Sequence, residues 1–254
     1  MHRTKTAALG AAMLLAACSG ATRIDETPPL DQTLPFASGD QKLPSDSEWA
    51  LVYSQDFSTE ASIADYAFTQ PARWTWNGED GRGSLELLGA SDYKPPFRSP
   101  TSIALVPGLL VADFDLEVEL LQTGRNYGHR DMCLFFGFVT PAKYDYVHLA
   151  TTPDEHAHNI FRVDGAPRAK LAEVGAQGID WGENEWHRVR IERRTQAGTI
   201  RVFWDGAAEP ILEAVDKGFE WGRLGFGSFD DSGRVAGVRV WAPESRAVEE
   251  AQPF

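Results

Sequence analysis

Short runs of alternating apolar and polar residues recur from Trp49 onward, and clusters of Gly, Pro, Asn and Asp separate them. A period of two places successive side chains on opposite faces of a strand, and turn-forming residues end each strand. No long run has the 3.6-residue period of a helix, and no repeat of fixed length is present. About ten such runs predict an all-β fold, a two-sheet antiparallel sandwich. The runs are WALVYSQDF, SLELLGA, ADFDLEVELL, DMCLFFGFV, YDYVHLA, NIFRVDG, WHRVRIERR, TIRVFWDG, RLGFGSF and GVRVWAP.

Composition divides the chain into four segments. Residues 1–17 form an apolar leader, and residues 18–48 are rich in Pro, Ser, Asp and Thr, which is typical of a flexible tether. Residues 49–243 contain the predicted strands, and residues 244–254 form a polar tail. A length of 254 residues with 43% hydrophobic content is enough for one substantial core, so we expect a single β-sandwich domain.

The leader MHRTKTAALGAAMLLAACSG has a basic start and an apolar run from Ala7 to Ala17, which is too short to span a bilayer. It predicts an export signal. Its end, Leu15-Ala16-Ala17-Cys18, resembles the bacterial lipobox. This resemblance implies that Cys18 is lipid-modified and anchors the protein in the cell envelope, and Ser19 after it implies the outer membrane. An ordinary cleaved signal peptide, which would leave Cys18 as a free thiol, is the alternative.

Cysteine count and charge exclude some classes of partner. If Cys18 carries lipid, Cys133 has no cysteine left for a disulfide and is expected to be a small packed residue. The formal net charge is −13, and losing Arg3 and Lys5 with the leader makes the charge more negative still. Nucleic acid is therefore not expected as a partner, because phosphate binding requires clustered positive charge.

Two stretches carry a family resemblance. The hairpin WHRVRIERRTQAGTIRVFWDG and the following GRLGFGSFDDSGRVAGVRVW resemble the closing strands of the concanavalin A-like lectin/glucanase (LamG-like) jelly roll. Four further motifs, YGHRDMCLFFGF, YDYVHLA, HAHNIFRVDGAPR and GRLGFGSFDDSG, are similar to exported bacterial proteins of that superfamily, over about Leu51 to Ala242. The resemblance implies a jelly roll. It leaves the function open, because the superfamily includes lectins, glycoside hydrolases, polysaccharide lyases and adhesion modules.

Residues 144–163, YDYVHLATTPDEHAHNIFRV, contain three of the six histidines. If 144–150 pairs with 156–162 around TTPDE, His148 lies opposite His158 and Tyr144 lies opposite Arg162. We prefer this register because the register shifted by one residue would bury Arg162 and His158 beside apolar side chains.

This register predicts a polar and aromatic face across three neighbouring strands. Aromatic rings stack on the apolar faces of sugars and polar groups bind hydroxyls, so the face predicts a glycan groove. An ordinary amphipathic outer face is the alternative. The residues predicted on the face are Asp131, Phe135, Tyr144, Tyr146, His148, His158 and Arg162.

The groove supplies candidates for polysaccharide hydrolysis or elimination. An acid or base must reach the glycosidic bond, and a lyase must neutralise a uronate carboxylate. The candidate catalytic residues are Asp131, Tyr146, His148 and His158, and the candidate substrate-binding residues are Arg98, His129, Arg130, Phe135, Tyr144, Arg162 and Arg168. We expect an envelope-anchored glycan-binding protein, with cleavage left open. A non-catalytic module that binds a protein or matrix partner is the alternative.

The expected function requires no cofactor. The sequence nevertheless contains two candidate metal sites. The resemblance implies a structural calcium ion between the first strand and an acidic pair near the carboxy terminus, where Asp56, Asp230 and Asp231 match. Simple turn chemistry in DDSG is the alternative. A zinc site built from the histidine hairpin is less favoured. It would use His148, His156 and His158 with Asp154 or Glu155.

Overall fold

A computed structural model describes residues 49–172, 177–248 and 253–254. The predicted leader, the tether and Cys18 lie outside these described residues. Within the described ranges the chain is almost entirely β-structure, with three short 3-10 helices at Glu60–Ile63, Pro71–Arg73 and Glu79–Gly81. No helix in the described part of the chain has the length and apolar character needed to cross a membrane.

The first large sheet, sheet A, has eight antiparallel strands. Its order along the main path is β14-β13-β12-β7-β16-β4-β3, and β1 also pairs with β16. The strands are β1 (Ala50–Gln55), β3 (Trp74–Asn77), β4 (Ser84–Leu87), β7 (Phe114–Gln122), β12 (Trp186–Arg194), β13 (Thr199–Trp204), β14 (Leu212–Val215) and β16 (Gly233–Ala242).

The second large sheet, sheet B, has seven strands in the order β11-β10-β9-β8-β15-β5-β2. Its strands are β2 (Ala67–Phe68), β5 (Ser102–Leu105), β8 (Asp131–Thr140), β9 (Lys143–Ala150), β10 (Asn159–Asp164), β11 (Ala169–Lys170) and β15 (Arg223–Ser228). A small third sheet pairs β6 (Leu109–Val111) with β17 (Ser245–Ala247). The stretch predicted as a polar tail thus contributes a strand. The all-β, two-sheet sandwich expected from the strand pattern is confirmed.

The main core lies between the two sheets and follows the alternation of their strands. Phe114, Leu116 and Val118 from sheet A belong to one buried cluster with Leu134 and Phe136 from sheet B. The rings of Phe114 and Phe136 meet edge to face, with centroids 6.1 Å apart. These residues are the apolar members of alternating runs, so burial of one face of each strand explains the pattern.

The other, outer face of sheet B is also apolar and buried. Phe135, Tyr144 and Tyr146 are fully buried in a second cluster, and partly buried Phe97, Phe229 and Phe254 pack over it. The expected open groove on this face is therefore wrong. The same side chains fill the face, because the aromatic rings stack on one another instead of standing apart. The members of this outer cluster are Ile103, Leu105, Cys133, Phe135, Phe138, Tyr144, Tyr146, Phe161 and Val163.

A bulge in β8 brings an additional ring onto the outer face. Gly137 has a φ of +56°, and the pairing of β8 with β9 shifts between Phe136 and Thr140. Glycine adopts positive φ without steric cost, and the extra residue turns the following side chain over. Phe138 consequently stacks on Tyr144 with a centroid separation of 5.0 Å.

The predicted register of the histidine hairpin is wrong by one residue. His148 pairs with Asn159, Tyr146 with Phe161, and Tyr144 with Val163. The loop runs through His158, whose φ of +51° is outside the strand range, so each residue of β9 pairs with a residue one position further along β10 than expected. A shift of one residue reverses every side chain of β10.

The shifted register places Arg162 toward the sandwich interior. Its hydrogen-bond and ion-pair partners there offset the free-energy cost of burying a charged side chain, which was the ground for rejecting this register. Arg162 donates to both carboxylate oxygens of Asp145, at 2.9 and 2.8 Å, and forms an ion pair with Asp216. Asp145 is fully buried. A bidentate pair satisfies both charges, so polar burial here does not select the other register. Arg162 is therefore not on the outer face with Phe135 and Tyr144.

We expect Phe135→Ala to destabilise the protein by about 3–5 kcal/mol, as removal of a buried phenylalanine does. The measurement is the free energy of unfolding in urea. Val139→Ala is the control in the same strand, because Val139 is 52% exposed, and it should change stability by less than about 0.5 kcal/mol. A cost for Phe135→Ala as small as that of the control would mean that the outer face is open.

Candidate functional site

A buried carboxylate at the start of β8 organises one end of the outer face. Asp131 is 1% exposed, and its Oδ1 accepts a hydrogen bond of 2.8 Å from Ser228 Oγ. Its Oδ2 accepts hydrogen bonds from Cys133 Sγ at 3.2 Å and from the backbone N–H of Phe229 at 3.4 Å. His148 Nε2 also lies 3.2 Å from Oδ2. Asp131 thus connects β8, β9 and the end of β15.

Two carboxylates meet at this point and their pKa values move apart. Burial alone would raise the pKa of Asp131, but the charge of His148 and the hydrogen bonds from Ser228 and Cys133 outweigh burial and hold this pKa below its usual value. Asp231 accepts hydrogen bonds of 2.9 Å from Tyr127 Oη and from the backbone N–H of Asp131. Burial raises the pKa of Asp231 to about 6, and the charge of Asp131 adds to this effect.

His148 is held from both sides of its ring. Its Nδ1 lies 3.1 Å from the carbonyl oxygen of His156, and its ring centroid lies 5.2 Å from that of Phe229. Nε2 is buried and has no hydrogen bond of acceptable geometry, although Asp131 Oδ2 is close. The side chain is only 6% exposed. Asp131 and His148, both predicted as catalytic residues, are therefore brought together, but beneath the surface.

Arg168 covers this part of the outer face. It donates hydrogen bonds of 2.9 Å to Tyr146 Oη and of 2.8 Å to the carbonyl oxygen of His156. Its guanidinium carbon lies 4.8 Å above the ring of Phe161 and 4.5 Å from the ring of Phe229. These cation–π contacts fix the half-buried arginine over the aromatic layer. Burial also raises the pKa of Tyr146 well above its ordinary value.

His158 does not join the pair formed by Asp131 and His148. It is buried, and its Nδ1 accepts a hydrogen bond of 3.3 Å from the backbone N–H of Ala150. Burial, with a smaller contribution from the charge of His148, lowers the pKa of His158 to about 4. His158 is consequently neutral near pH 7 and stabilises the end of the hairpin.

The remaining candidate binding residues are dispersed. Arg130 is buried and donates to Gln122 and to the carbonyl oxygen of Gly182, so it has a structural role. His129 is exposed and lies 2.8 Å from Asp154. Arg98 is also exposed, in the segment between β4 and β5. Phe135 and Tyr144 belong to the buried layer of the outer face.

The predicted metal ligands are brought together only in part. Asp230 and Asp231 lie with Asp131, with one oxygen of each carboxylate within 4.8 Å of the others. Asp56 is not in this group and instead accepts a hydrogen bond from the backbone N–H of Ser58. In the described residues His156 and His158 belong to no cluster of metal-ligating atoms, so the hairpin does not assemble the zinc site considered above.

Partly exposed residues at this end of the sheet include two predicted site residues, Arg168 and Asp230, and two that sequence reasoning missed, Tyr127 and Phe229. Tyr127, Arg168 and Phe229 are half-buried and Asp230 is exposed. We call these four residues the rim patch. They are linked through Asp231, which binds Tyr127, and through the contact between Arg168 and Phe229. The motif GSFDDSG, which places an aromatic residue between a strand end and an acidic pair, is the signal that could have identified Phe229.

Comparison with known proteins gives the fold a wider context. No protein-family model matches the chain, and no curated protein matches its sequence. A Bacillus subtilis protein of unknown function with a galectin-like fold is 14% identical, with 80% of this chain and 99% of that chain covered and a TM-score of 0.54. The winged bean acidic lectin, solved with methyl-α-D-galactose, is 14% identical, with coverages of 78% and 98% and a TM-score of 0.53.

The carbohydrate-binding module CBM66 from Bacillus subtilis is 15% identical, with 70% of this chain and 96% of that chain covered and a TM-score of 0.50. Identities this low relate folds and do not transfer ligands. The three structural similarities agree with the strand motifs quoted above and with the observed pair of antiparallel sheets. The chain therefore has the concanavalin A-like lectin/glucanase fold, a two-sheet jelly roll.

Proposed function

We propose that this protein binds a glycan at the rim patch and does not cleave it. The observation that carries the proposal is Phe229, a half-buried ring with the guanidinium of Arg168 at 4.5 Å. An aromatic ring offers a stacking surface to the apolar face of a sugar, and neighbouring charged groups bind hydroxyls and fix orientation. Asp230, the next residue along the chain after Phe229, supplies an exposed carboxylate. Tyr127, whose hydroxyl donates to Asp231, supplies a second half-buried ring.

The sheet face itself is a poor location for the ligand. Phe135, Tyr144 and Tyr146 fill it, and none of the three is accessible. A sugar would have to displace the layer formed by Phe97, Phe229 and Arg168 before it reached these rings. Binding at the rim requires no such rearrangement.

Binding is favoured over hydrolysis because two of the three carboxylates clustered at this end of the sheet are buried. Asp131 is 1% exposed and Asp231 is 7% exposed, and both already accept several hydrogen bonds. One oxygen of each lies within 4.8 Å of the other. Carboxyl groups that cleave glycosides flank the bond at about 5–5.5 Å or about 6.5–9.5 Å, with the sugar between them. No space for a sugar exists between two groups packed in this way.

A lyase mechanism is disfavoured for a related reason. The candidate base, Tyr146, is fully buried, and its hydroxyl accepts a hydrogen bond from Arg168. Burial keeps its pKa well above the ordinary value, so its phenolate is not available at neutral pH. His148 is likewise covered by Phe229.

The proposal includes attachment to the cell envelope through Cys18, which the lipobox motif supports. Incorporation of labelled palmitate into the wild-type chain, and its loss in Cys18→Ser, is the expected result. Labelling that persists in Cys18→Ser would contradict the anchor and would leave the glycan proposal unaffected.

A glycan array followed by calorimetry with the best ligand tests binding. We expect the full-length chain carrying Cys18→Ser to bind, and Phe229→Ala in that chain to weaken binding at least about tenfold, which corresponds to about 1.4 kcal/mol. The loss follows from removal of the stacking surface.

Phe219→Ala is the matched control. Phe219 is also half-buried below an arginine, with Arg162 at 4.8 Å, but it lies beside Gly137, six residues along β8 from Asp131. The control should bind like the parent chain. Equal losses in the two variants would place the ligand elsewhere, and product release from a bound polysaccharide would show an enzyme. A chain that binds none of the glycans would favour the protein or matrix partner.

A further inference from the structure

Three different metal-ligating side chains converge below the rim patch. Asp131, Cys133 and His148 are all buried, and one ligand atom from each lies within 4.8 Å of the others. Cys133 Sγ and His148 Nε2 each lie 3.2 Å from Asp131 Oδ2. Asp131 and Cys133 are alternate residues of β8, and Cys133 pairs with His148 of β9, so the sheet register itself brings the three together.

The environment of His148 determines which of its nitrogens is available. Nδ1 lies 3.1 Å from the carbonyl oxygen of His156, which can only accept a hydrogen bond, so Nδ1 carries the proton. A neutral imidazole then has its free lone pair on Nε2. That atom is buried, makes no hydrogen bond of acceptable geometry, and points toward a carboxylate oxygen. The 3.2 Å contact between Nε2 and Oδ2 therefore holds either a proton, as in the ion pair described above, or a metal ion that takes the place of that proton.

The same arrangement is typical of a histidine that binds a metal. Such a histidine generally donates its second ring N–H to a carbonyl or a carboxylate, which fixes the orientation of the ring. The carbonyl of His156 has this role for His148. Ser228 Oγ, at 2.8 Å, holds Oδ1 of Asp131 and leaves Oδ2 directed at Cys133 and His148. The hydrogen-bond partners that would orient the histidine ligand and the carboxylate ligand, the carbonyl of His156 and the hydroxyl of Ser228, are thus both present.

Two of the three ligand–ligand distances agree with three corners of a tetrahedral site. Zinc binds thiolate sulfur at about 2.3 Å and imidazole nitrogen or carboxylate oxygen at about 2.0–2.2 Å, so neighbouring ligand atoms lie roughly 3.3–3.6 Å apart. The two contacts of 3.2 Å are within a few tenths of an ångström of these edges. The third distance, from Cys133 Sγ to His148 Nε2, is no more than 4.8 Å.

We propose that Asp131, Cys133 and His148 bind a first-row transition-metal ion, with Zn²⁺ as the best match, in a site that joins β8 to β9. One sulfur, one nitrogen and one oxygen ligand select zinc-like ions over calcium or magnesium, which prefer oxygen alone. The proposal is independent of glycan binding at the rim patch. It also differs from the calcium hypothesis, because it uses neither Asp56 nor the exposed Asp230.

Co²⁺ is the probe, since it occupies zinc sites and gives a near-ultraviolet charge-transfer band when a thiolate binds it. The experiment uses the full-length chain with Cys18→Ser, in which Cys133 is the only thiol. We expect one Co²⁺ per chain, a thiolate band that Zn²⁺ abolishes by displacement, and a melting temperature that rises with Zn²⁺ concentration because only the folded chain has the assembled site.

Variants locate the ligands. Cys133→Ser should remove the band, and His148→Gln should weaken Co²⁺ affinity at least about 100-fold. His156→Ala is the matched control, because it removes an exposed imidazole of the same hairpin and keeps the backbone carbonyl that holds His148. Its affinity should equal that of the parent chain.

The parent chain alone can also decide the question if either variant fails to fold. X-ray absorption of the zinc-loaded protein should show one sulfur ligand at about 2.3 Å together with lighter ligands. Absence of the thiolate band, lack of sulfur in the zinc shell, or an affinity unchanged by His148→Gln would overturn the proposal. Binding of Ca²⁺ without Co²⁺ would overturn it as well.

Discussion

The buried carboxylate of Asp131 is the interaction on which this end of the molecule depends. A charge that is removed from water is costly unless hydrogen bonds and an opposite charge replace the solvent. Ser228, Cys133, the backbone of Phe229 and the ring of His148 provide that replacement. These partners come from three strands and the following turn. Satisfying one carboxylate therefore fixes the position of the segment that carries Phe229 and the acidic pair.

The outer face of sheet B is buried, although the alternating pattern of its strands predicts a solvent-exposed surface. Its rings stack on each other, and Arg168 closes the layer by pairing with Tyr146 and lying across two phenylalanine rings. Both faces of the sheet are consequently packed. Solvent reaches this layer at its partly buried covering residues, among them Phe97, Phe229 and Phe254, and Tyr127 near Asp231 is also half exposed. The ligand surface is proposed at the rim patch because its residues are partly exposed, whereas the rings of the sheet face are buried.

The sequence was sufficient for the strands and for part of the site. Alternation in β8 and β9 predicted that Asp131 and Phe135 share a face with Tyr146 and His148, and the structure confirms it. The pairing of β10 was not predictable, because it depends on one loop residue, His158, with a positive φ. The inner-face position of Arg162 was not predictable from the hairpin alone, because a local pattern does not include partners that are distant along the chain. One of its partners, Asp216, is 54 positions away along the chain and is not visible in a hairpin.

Amide hydrogen exchange in Asp131→Asn tests most directly whether this carboxylate holds the segment from Ser228 to Asp231. Hydrogen bonds to a charged group contribute about 1.5–3 kcal/mol, so the amides of Phe229 and Asp231 should exchange roughly 10–100-fold faster in the variant. Amides of β12 and β13, in the other sheet, should keep their protection. Unchanged exchange at Phe229 and Asp231, or equal acceleration in both sheets, would contradict the central role assigned to Asp131.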